Sequence, residues 1–185
     1  MSHTAVIAWG SLLWSPRTLK YTGAWEPTGP QLPIEFSRVT TDGRLTLVVD
    51  PVAGVEVQTW VARSPLAPDE ARQNLAEREV CEIEHIGIMR RGPGGEGEAG
   101  SRRLPNHLRP LETWFRRGGF GAAIWTALPA RFDAVTGAPF SVVSALTYLD
   151  GLRGATREVA FEYIQRAPGT TRTPLRRAFE ARWRE

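Results

Sequence analysis

The chain has 185 residues, a length that fits one domain of ordinary size. Its 42% hydrophobic and 23% charged residues, with 18 glycines and 14 prolines, are typical of a globular protein and exclude a disordered or collagen-like chain. The formal net charge is only +3, and Lys20 is the single lysine, so arginine carries almost all of the positive charge.

The sequence offers neither a membrane span nor a disulfide framework. Its uninterrupted apolar stretches are far shorter than the roughly 18 residues that a bilayer requires, and the first residues do not precede a cleavable signal pattern. Cys81 is the only cysteine, which excludes an internal disulfide and a zinc site built from several thiolates. These features predict a cytoplasmic enzyme or binding protein.

The first part of the chain is predicted to consist of strands. The apolar run Ala5–Trp9 ends at Gly10–Ser11, a pattern typical of a buried strand that leads into a tight turn. Asp42–Gly43 is a two-residue hairpin signal between two apolar segments. The remaining strands are indicated by alternating apolar and polar residues at Ile34–Phe36, Leu45–Val49 and Val55–Ala62.

Helices are predicted mainly after the strands. Pro68, followed by two acidic residues, suits the first turn of a helix that continues to Glu79. The segment Gly92–Gly100 is of low complexity and is expected to be a mobile surface loop, and Phe120–Leu128 is predicted as another strand. Three helices follow, starting at Ser141, Thr156 and Thr173. This order predicts an α+β fold, with one domain over residues 1–130 and a helical C-terminal extension over 131–185 packed on it.

The first candidate site is the turn after the first strand. Glycine at position 10 allows the backbone N–H groups of Gly10, Ser11 and Leu12 to converge on a carboxylate or an oxyanion, beside Trp9. The alternative is a simple strand-to-turn junction in which the tryptophans only pack.

Glu79 is the second candidate. Ala71, Leu75 and Glu79 are spaced four residues apart, so the carboxylate lies in the apolar stripe of the predicted helix. Burial would raise its pKa towards neutrality, as a general base requires. Alternatively, Glu79 ends the helix in solvent beside Arg78 and Glu82.

Together these features resemble the gamma-glutamylcyclotransferase-like superfamily. The stretch Gly10–Pro16, read as Gly-Ser-Leu-Leu-Trp-Ser-Pro, is similar to the glycine loop of the ChaC-type branch, which has tyrosine where this chain has Trp9. Phe36–Arg38 with Leu45–Val48 is also similar to that branch. Leu75–Glu79 resembles its leucine-x-x-arginine-glutamate stretch, in which the last residue is the catalytic acid/base. The resemblance covers roughly residues 6–86 and does not extend to Phe140–Glu185.

The resemblance implies a fold and an activity. The fold would be a small mixed or antiparallel β-barrel, formed by the predicted strands and flanked by helices. The activity would be cyclisation of a gamma-glutamyl amine or peptide to 5-oxoproline with release of the amine. Glu79 would be catalytic, Trp9, Gly10, Ser11 and Leu12 would bind the substrate, and no cofactor would be needed. The alternative is a non-catalytic module that binds a small anion on the same fold.

Other charged and polar residues give weaker signals. The arginine pairs Arg90–Arg91, Arg102–Arg103 and Arg116–Arg117 could form an anion-binding rim or a solvated face. With a net charge of +3 and no nucleic-acid-binding motif, neither a nucleic-acid nor a membrane partner is expected. Cys81 and His85 would share a helix face if the helix continued, and packing alone accounts for such a pair. His107 is isolated, and no metal-ligand pattern is present.

Overall fold

The computed structural model describes residues 3–92, 97–99 and 104–183, and within them the fold is α+β. The described strands are β1 (Thr4–Ala8), β2 (Thr22–Glu26), β3 (Gln31–Val39), β4 (Leu45–Val49), β5 (Val55–Gln58), β6 (Trp60–Ser64), β7 (Ile86–Arg91), β8 (Gly97–Ala99) and β9 (Ala122–Thr126). The described helices are α1 (Pro68–Glu79), α2 (Arg109–Arg117), α3 (Phe132–Thr136), α4 (Val142–Gly151), α5 (Gly154–Arg166) and α6 (Pro174–Arg182).

The chain divides into two compact units. The first comprises Met1–Leu32 with Gln58–Leu128, and the second comprises Pro33–Val57 with Pro129–Glu185. One boundary between the units, at Leu128 and Pro129, falls near the predicted boundary at residue 130, but residues 33–57 group with the C-terminal helices.

The first unit contains a six-stranded mixed sheet in the order β2-β6-β1-β9-β7-β8. β1 lies between β6, to which it is antiparallel, and β9, to which it is parallel. One face of this sheet, which presents Val6 and Ala8 of β1, packs against Leu75 and its neighbours on α1. This face of the central strand therefore lies against the helix that carries Glu79.

Helix α1 has the predicted bounds, and the residues at its two ends explain where it begins and stops. Pro68 begins it, Asp69 and Glu70 favour the positive end of the helix dipole, and its apolar stripe is buried. At the other end Val80 adopts the left-handed conformation with φ 53° and ψ 51°, and the N–H of Cys81 donates to the carbonyl of Ala76 at 3.1 Å. This backward hydrogen bond stops the helix immediately after Glu79.

The predicted strand Val55–Ala62 is wrong as a single element. It is two strands in different sheets, because Thr59 leaves the ladder: its Oγ1 donates to the carbonyl of Pro30 at 2.6 Å, and its own carbonyl accepts from the N–H of Gly29 at 3.2 Å. β5 joins a second sheet, and β6 joins the first. The described strands therefore form two open sheets, and they do not form the single closed barrel that was predicted.

The second unit contains the three-stranded sheet β4-β3-β5 and the C-terminal helices. The predicted hairpin is confirmed: β3 pairs antiparallel with β4, and Gly43 in the turn has φ 81°. The predicted C-terminal helices are also confirmed, and the first of them is capped by Ser141, whose Oγ accepts from the N–H of Ser144 at 3.0 Å.

The segment Gly92–Gly100 differs in part from its prediction as a loop. Gly97–Ala99 is strand β8 and pairs antiparallel with Met89–Arg91 of β7. Residues 93–96 and 100 lie outside the described residues. The predicted mobility of this segment therefore stays a prediction. Arg102 and Arg103 lie outside the described residues as well.

Candidate functional site

The end of β1 leads into a short loop, Gly10–Ser15, which we name the Gly10 loop. Ser11–Leu13 forms one 3₁₀ turn, in which the N–H of Leu13 donates to the carbonyl of Gly10 at 3.0 Å. The first N–H group to donate within this turn is that of Leu13, so the N–H groups of Gly10, Ser11 and Leu12 have no partner within it. Trp9 and Leu12 are 5% and 4% exposed, so their side chains serve packing, and the loop offers a ligand mainly its backbone.

Glu79 is the last residue of α1, and its side chain is 17% exposed. Desolvation by burial raises the pKa of this carboxyl above its ordinary value of 4.5, although the positive charges of Arg78 and Arg17 act in the opposite direction. The predicted burial of Glu79 is confirmed. A carboxylate that holds its proton more tightly than usual is better suited to accept one near neutral pH.

Arg78 connects Glu79 with the Gly10 loop. Its side chain is 4% exposed, and its Nη1 donates to Oε1 of Glu79 at 2.7 Å. Its Nη2 donates to Oγ of Ser11 at 3.1 Å and to the carbonyl of Ser15 at 2.5 Å. The two predicted site segments are thus joined through one buried guanidinium, and the alternative, in which Glu79 ends the helix in solvent beside Arg78, is wrong.

The sequence alone assigns no role to Arg78. The signal that could have found it is its position beside the candidate base on the last turn of a helix. A buried arginine needs a carboxylate and further acceptor oxygens around it, and the Gly10 loop supplies the hydroxyl of Ser11 and the carbonyl of Ser15. Its burial is therefore a consequence of the same loop that was singled out for its glycine.

Two residues near this region have a rare backbone conformation. Among the described non-glycine residues, only Arg17 and Val80 have a positive φ, at 52° and 53°. Val80 directly follows Glu79, and Arg17 is one of the cations that lower the pKa of Glu79. A β-branched residue in the left-handed region is strained, and such strain is concentrated at functional sites.

The other predicted candidates do not join this site. α1 ends before Cys81, and His85 lies in a separate 3₁₀ turn, so the two residues do not share a helix face. His107 lies in a further 3₁₀ turn at Asn106–Leu108. Within residues 3–92, 97–99 and 104–183, no group of three His, Cys, Asp or Glu side chains is placed to hold a metal ion.

Three of the four arginines in the described pairs, Arg90, Arg91 and Arg116, have partners within the protein. Nη2 of Arg91 donates to the carbonyls of Phe115 and Gly118 at 3.1 and 2.6 Å, which satisfies the C-terminal end of α2. Arg90 forms an ion pair with Asp69, and Arg116 forms one with Glu112. Arg90 and Arg116 form these ion pairs while about half exposed, which agrees better with the predicted solvated face than with an anion-binding rim.

Comparison with protein-family models, with curated proteins and with solved structures finds no match for this chain. The resemblance to the gamma-glutamylcyclotransferase-like superfamily therefore stays a prediction, and the roles of Glu79 and the Gly10 loop have to be argued from their geometry. None of the described helices combines the length and the apolar character needed to cross a bilayer.

Proposed function

We propose that this protein is a gamma-glutamylcyclotransferase-type enzyme that converts a gamma-glutamyl amine or peptide to 5-oxoproline and a free amine. The observation that carries the proposal is a buried carboxylate of raised pKa, Glu79, tied through Arg78 to a loop whose first N–H groups are free of partners within it. A proton acceptor and a set of oxyanion donors are the two parts that this reaction needs.

The reaction balances with these parts alone. The substrate's α-amine nitrogen attacks its own side-chain carbonyl carbon, a C–N bond closes the five-membered ring, and the C–N bond to the leaving amine breaks. Glu79 takes the proton that the attacking nitrogen loses and returns it to the leaving nitrogen. Because nucleophile and electrophile belong to one molecule, the enzyme mainly has to hold them in contact, and effective molarities of about 10⁵ to 10⁸ M indicate how much that can contribute.

Arg78 supports this chemistry as a positioning residue. Its bond to Oε1 fixes the orientation of the Glu79 carboxylate, and its bonds to Ser11 and Ser15 fix the Gly10 loop relative to that carboxylate. The N–H groups of Gly10, Ser11 and Leu12 are the donors proposed for the carbonyl oxygen that becomes negative during attack.

The test is release of 5-oxoproline from a panel of gamma-glutamyl amines and peptides, with the free amine measured in parallel. The proposal expects equal amounts of the two products from at least one substrate. E79Q reports contaminating activity, and E77Q is the matched control, since Glu77 lies on the same helix with an exposed side chain. Release by wild type and E77Q but not by E79Q supports the enzyme. Saturable binding without release by any of the proteins would instead support the non-catalytic anion-binding module.

A further inference from the structure

Among the described residues of the first unit, four buried side-chain nitrogens have no hydrogen-bond partner, and apart from Nδ1 of His85 they can only donate. Among the described residues, no hydrogen-bond partner is present for Nε1 of Trp25, Nε1 of Trp60 or Nε of Arg78. Indole and guanidinium nitrogens can only donate, so each needs an oxygen, and a buried donor without one costs about 1–3 kcal/mol. Native proteins leave few such groups unpaired, and three in one region require an explanation.

The sheet register places the two tryptophans on the face that α1 covers. Trp60 of β6 lies directly opposite Ala8 of β1, and residues opposite each other in an antiparallel pair share a face. Ala8 belongs to the apolar cluster under α1, and Trp25 packs against the same cluster. Trp25 is also held by Tyr21, with their ring centroids 5.2 Å apart.

The same register places Trp60 at the end of the sheet where the Gly10 loop begins. β1 runs from Thr4, opposite Ser64, to Ala8, opposite Trp60, two residues before Gly10. α1 starts just after Ser64 and ends at Glu79, and Arg78 in its last turn contacts Ser11 and Ser15. The unpaired Nε of Arg78 and the indole of Trp60 therefore belong to the same end of the same face.

The charges around Glu79 also favour an anion. Arg78 and Arg17 are the two cations that act on the single carboxylate of Glu79, so this group of three carries a net charge of +1. One further carboxylate would neutralise it and would supply two acceptor oxygens to a region that has unpaired donors. A gamma-glutamyl compound has such a group on its α-carbon.

We propose that the indole N–H groups of Trp25 and Trp60, together with Nε of Arg78, bind the α-carboxylate of the substrate. This inference rests on the proposed function for the identity of the substrate, and it leaves the backbone N–H groups of the Gly10 loop for the reacting carbonyl. Trp25 and Trp60 are then specificity-determining residues. They select substrates with a free α-carboxylate over those in which it is an amide.

The test uses the protein labelled with ¹⁵N at its seven tryptophans, which give seven indole N–H signals. The signals of Trp25 and Trp60 are assigned with W25F and W60F, or by their nuclear Overhauser contacts in wild type if a variant does not fold. Titration with 5-oxoproline is expected to move both signals downfield in a saturable manner. The amide of 5-oxoproline, which lacks the carboxylate, is expected to leave them in place.

Kinetics provide the second readout. W25F and W60F each remove one hydrogen bond to a charged group, so we expect KM to rise about 10-fold or more with little change in kcat. W114F is the matched control, because the Nε1 of Trp114 already donates to the carbonyl of Thr28 at 2.6 Å. W114F removes this hydrogen bond, so the variant is expected to be less stable than wild type and to keep the wild-type KM.

The possible failures are distinguishable. If 5-oxoproline moves the backbone amides of the Gly10 loop but neither indole signal, the inference is overturned and the proposed function stands. If acetate and 5-oxoproline move both indole signals while no panel substrate releases 5-oxoproline, the carboxylate site stands and the proposed function fails. If no probe moves either indole signal, the inference is overturned whatever the panel shows.

Discussion

Glu35 lies in one compact unit and Glu79 in the other, and the two glutamates differ in what surrounds the carboxylate. Glu35 on β3 is 0% exposed, and it accepts hydrogen bonds from the N–H of Phe36 at 2.7 Å and of Leu175 at 3.2 Å. Glu79 on α1 is partly exposed, and its partner is the guanidinium of Arg78. Burial raises the pKa of both carboxyls above 4.5.

This comparison shows that burial and a raised pKa do not identify a catalytic carboxylate. Both oxygens of Glu35 are used by backbone donors, one of them near the start of α6, where the helix dipole favours a negative charge. Glu35 therefore holds the first turn of α6 against β3. Glu79 retains partial access to solvent, and its partner Arg78 also contacts the Gly10 loop, whose first N–H groups have no partner within the turn.

The largest effect that separates the two glutamates is expected in turnover. E79Q retains the shape of the side chain and loses the proton acceptor, so release of 5-oxoproline should fall by about 10² to 10⁴-fold. E35Q should retain wild-type turnover for each folded molecule. An E79Q enzyme with wild-type kcat would remove Glu79 from the mechanism.

For stability we expect the opposite order: E35Q should lose more than E79Q. In E35Q the amide NH₂ replaces one acceptor oxygen and meets a backbone N–H, so one buried donor loses its partner. The free energy of unfolding should fall by about 1–3 kcal/mol, measured by urea denaturation. E79Q should lose less, because its site is partly open to water. Equal losses in the two variants would contradict the structural role of Glu35.

Arg78 should control the pH dependence of the reaction. A general base must be ionised, so kcat/KM rises with pH through the pKa of Glu79, which lies above 4.5. Arg78 lowers that pKa, and R78M removes this effect, so the acidic limb should move to higher pH.

The control for this shift is R72M. Arg72 is on the same helix, and its side chain donates instead to the carbonyls of Ile83 and Ile86. An acidic limb that stays in place in R78M while it moves in R72M would show that Arg78 does not act on Glu79.

The smallest expected effect concerns the strained residue after Glu79. The left-handed conformation costs an ordinary residue about 1–2 kcal/mol, and the greater freedom of glycine in the unfolded chain offsets about 0.5–1 kcal/mol. V80G should therefore stabilise the protein by about 0.5 kcal/mol in thermal unfolding. V52G is the matched control: Val52 is also exposed but lacks a positive φ, so this change should destabilise.

Local signals in the sequence were sufficient for part of the fold. The bounds of α1 follow from Pro68 and the acidic residues after it, and the hairpin follows from Asp42–Gly43, since each depends on a few neighbouring residues. The position of Glu79 in the apolar stripe was enough to predict its burial. The joining of Glu79 to the Gly10 loop through Arg78 was not predictable, because it depends on a contact between residues 67 positions apart.

Other elements were missed because tertiary contacts determine them. β7 contains Gly87, which weakens the strand signal, but glycine is required there: a Cβ would lie 2.2 Å from the ring of Trp125 on β9. β2 has four exposed residues out of five and no apolar alternation, so its place beside β6 could not be read locally. The break at Thr59 likewise depends on its hydrogen bonds to Gly29 and Pro30.

The most direct test of the proton-transfer role of Glu79 is the pKa of its carboxyl, measured by ¹³C NMR titration with E79Q for the assignment. The account predicts a value above 4.5 that coincides with the acidic limb of kcat/KM for 5-oxoproline release. A carboxyl that titrates at or below 4.5, or a limb that follows a different pKa, would contradict it.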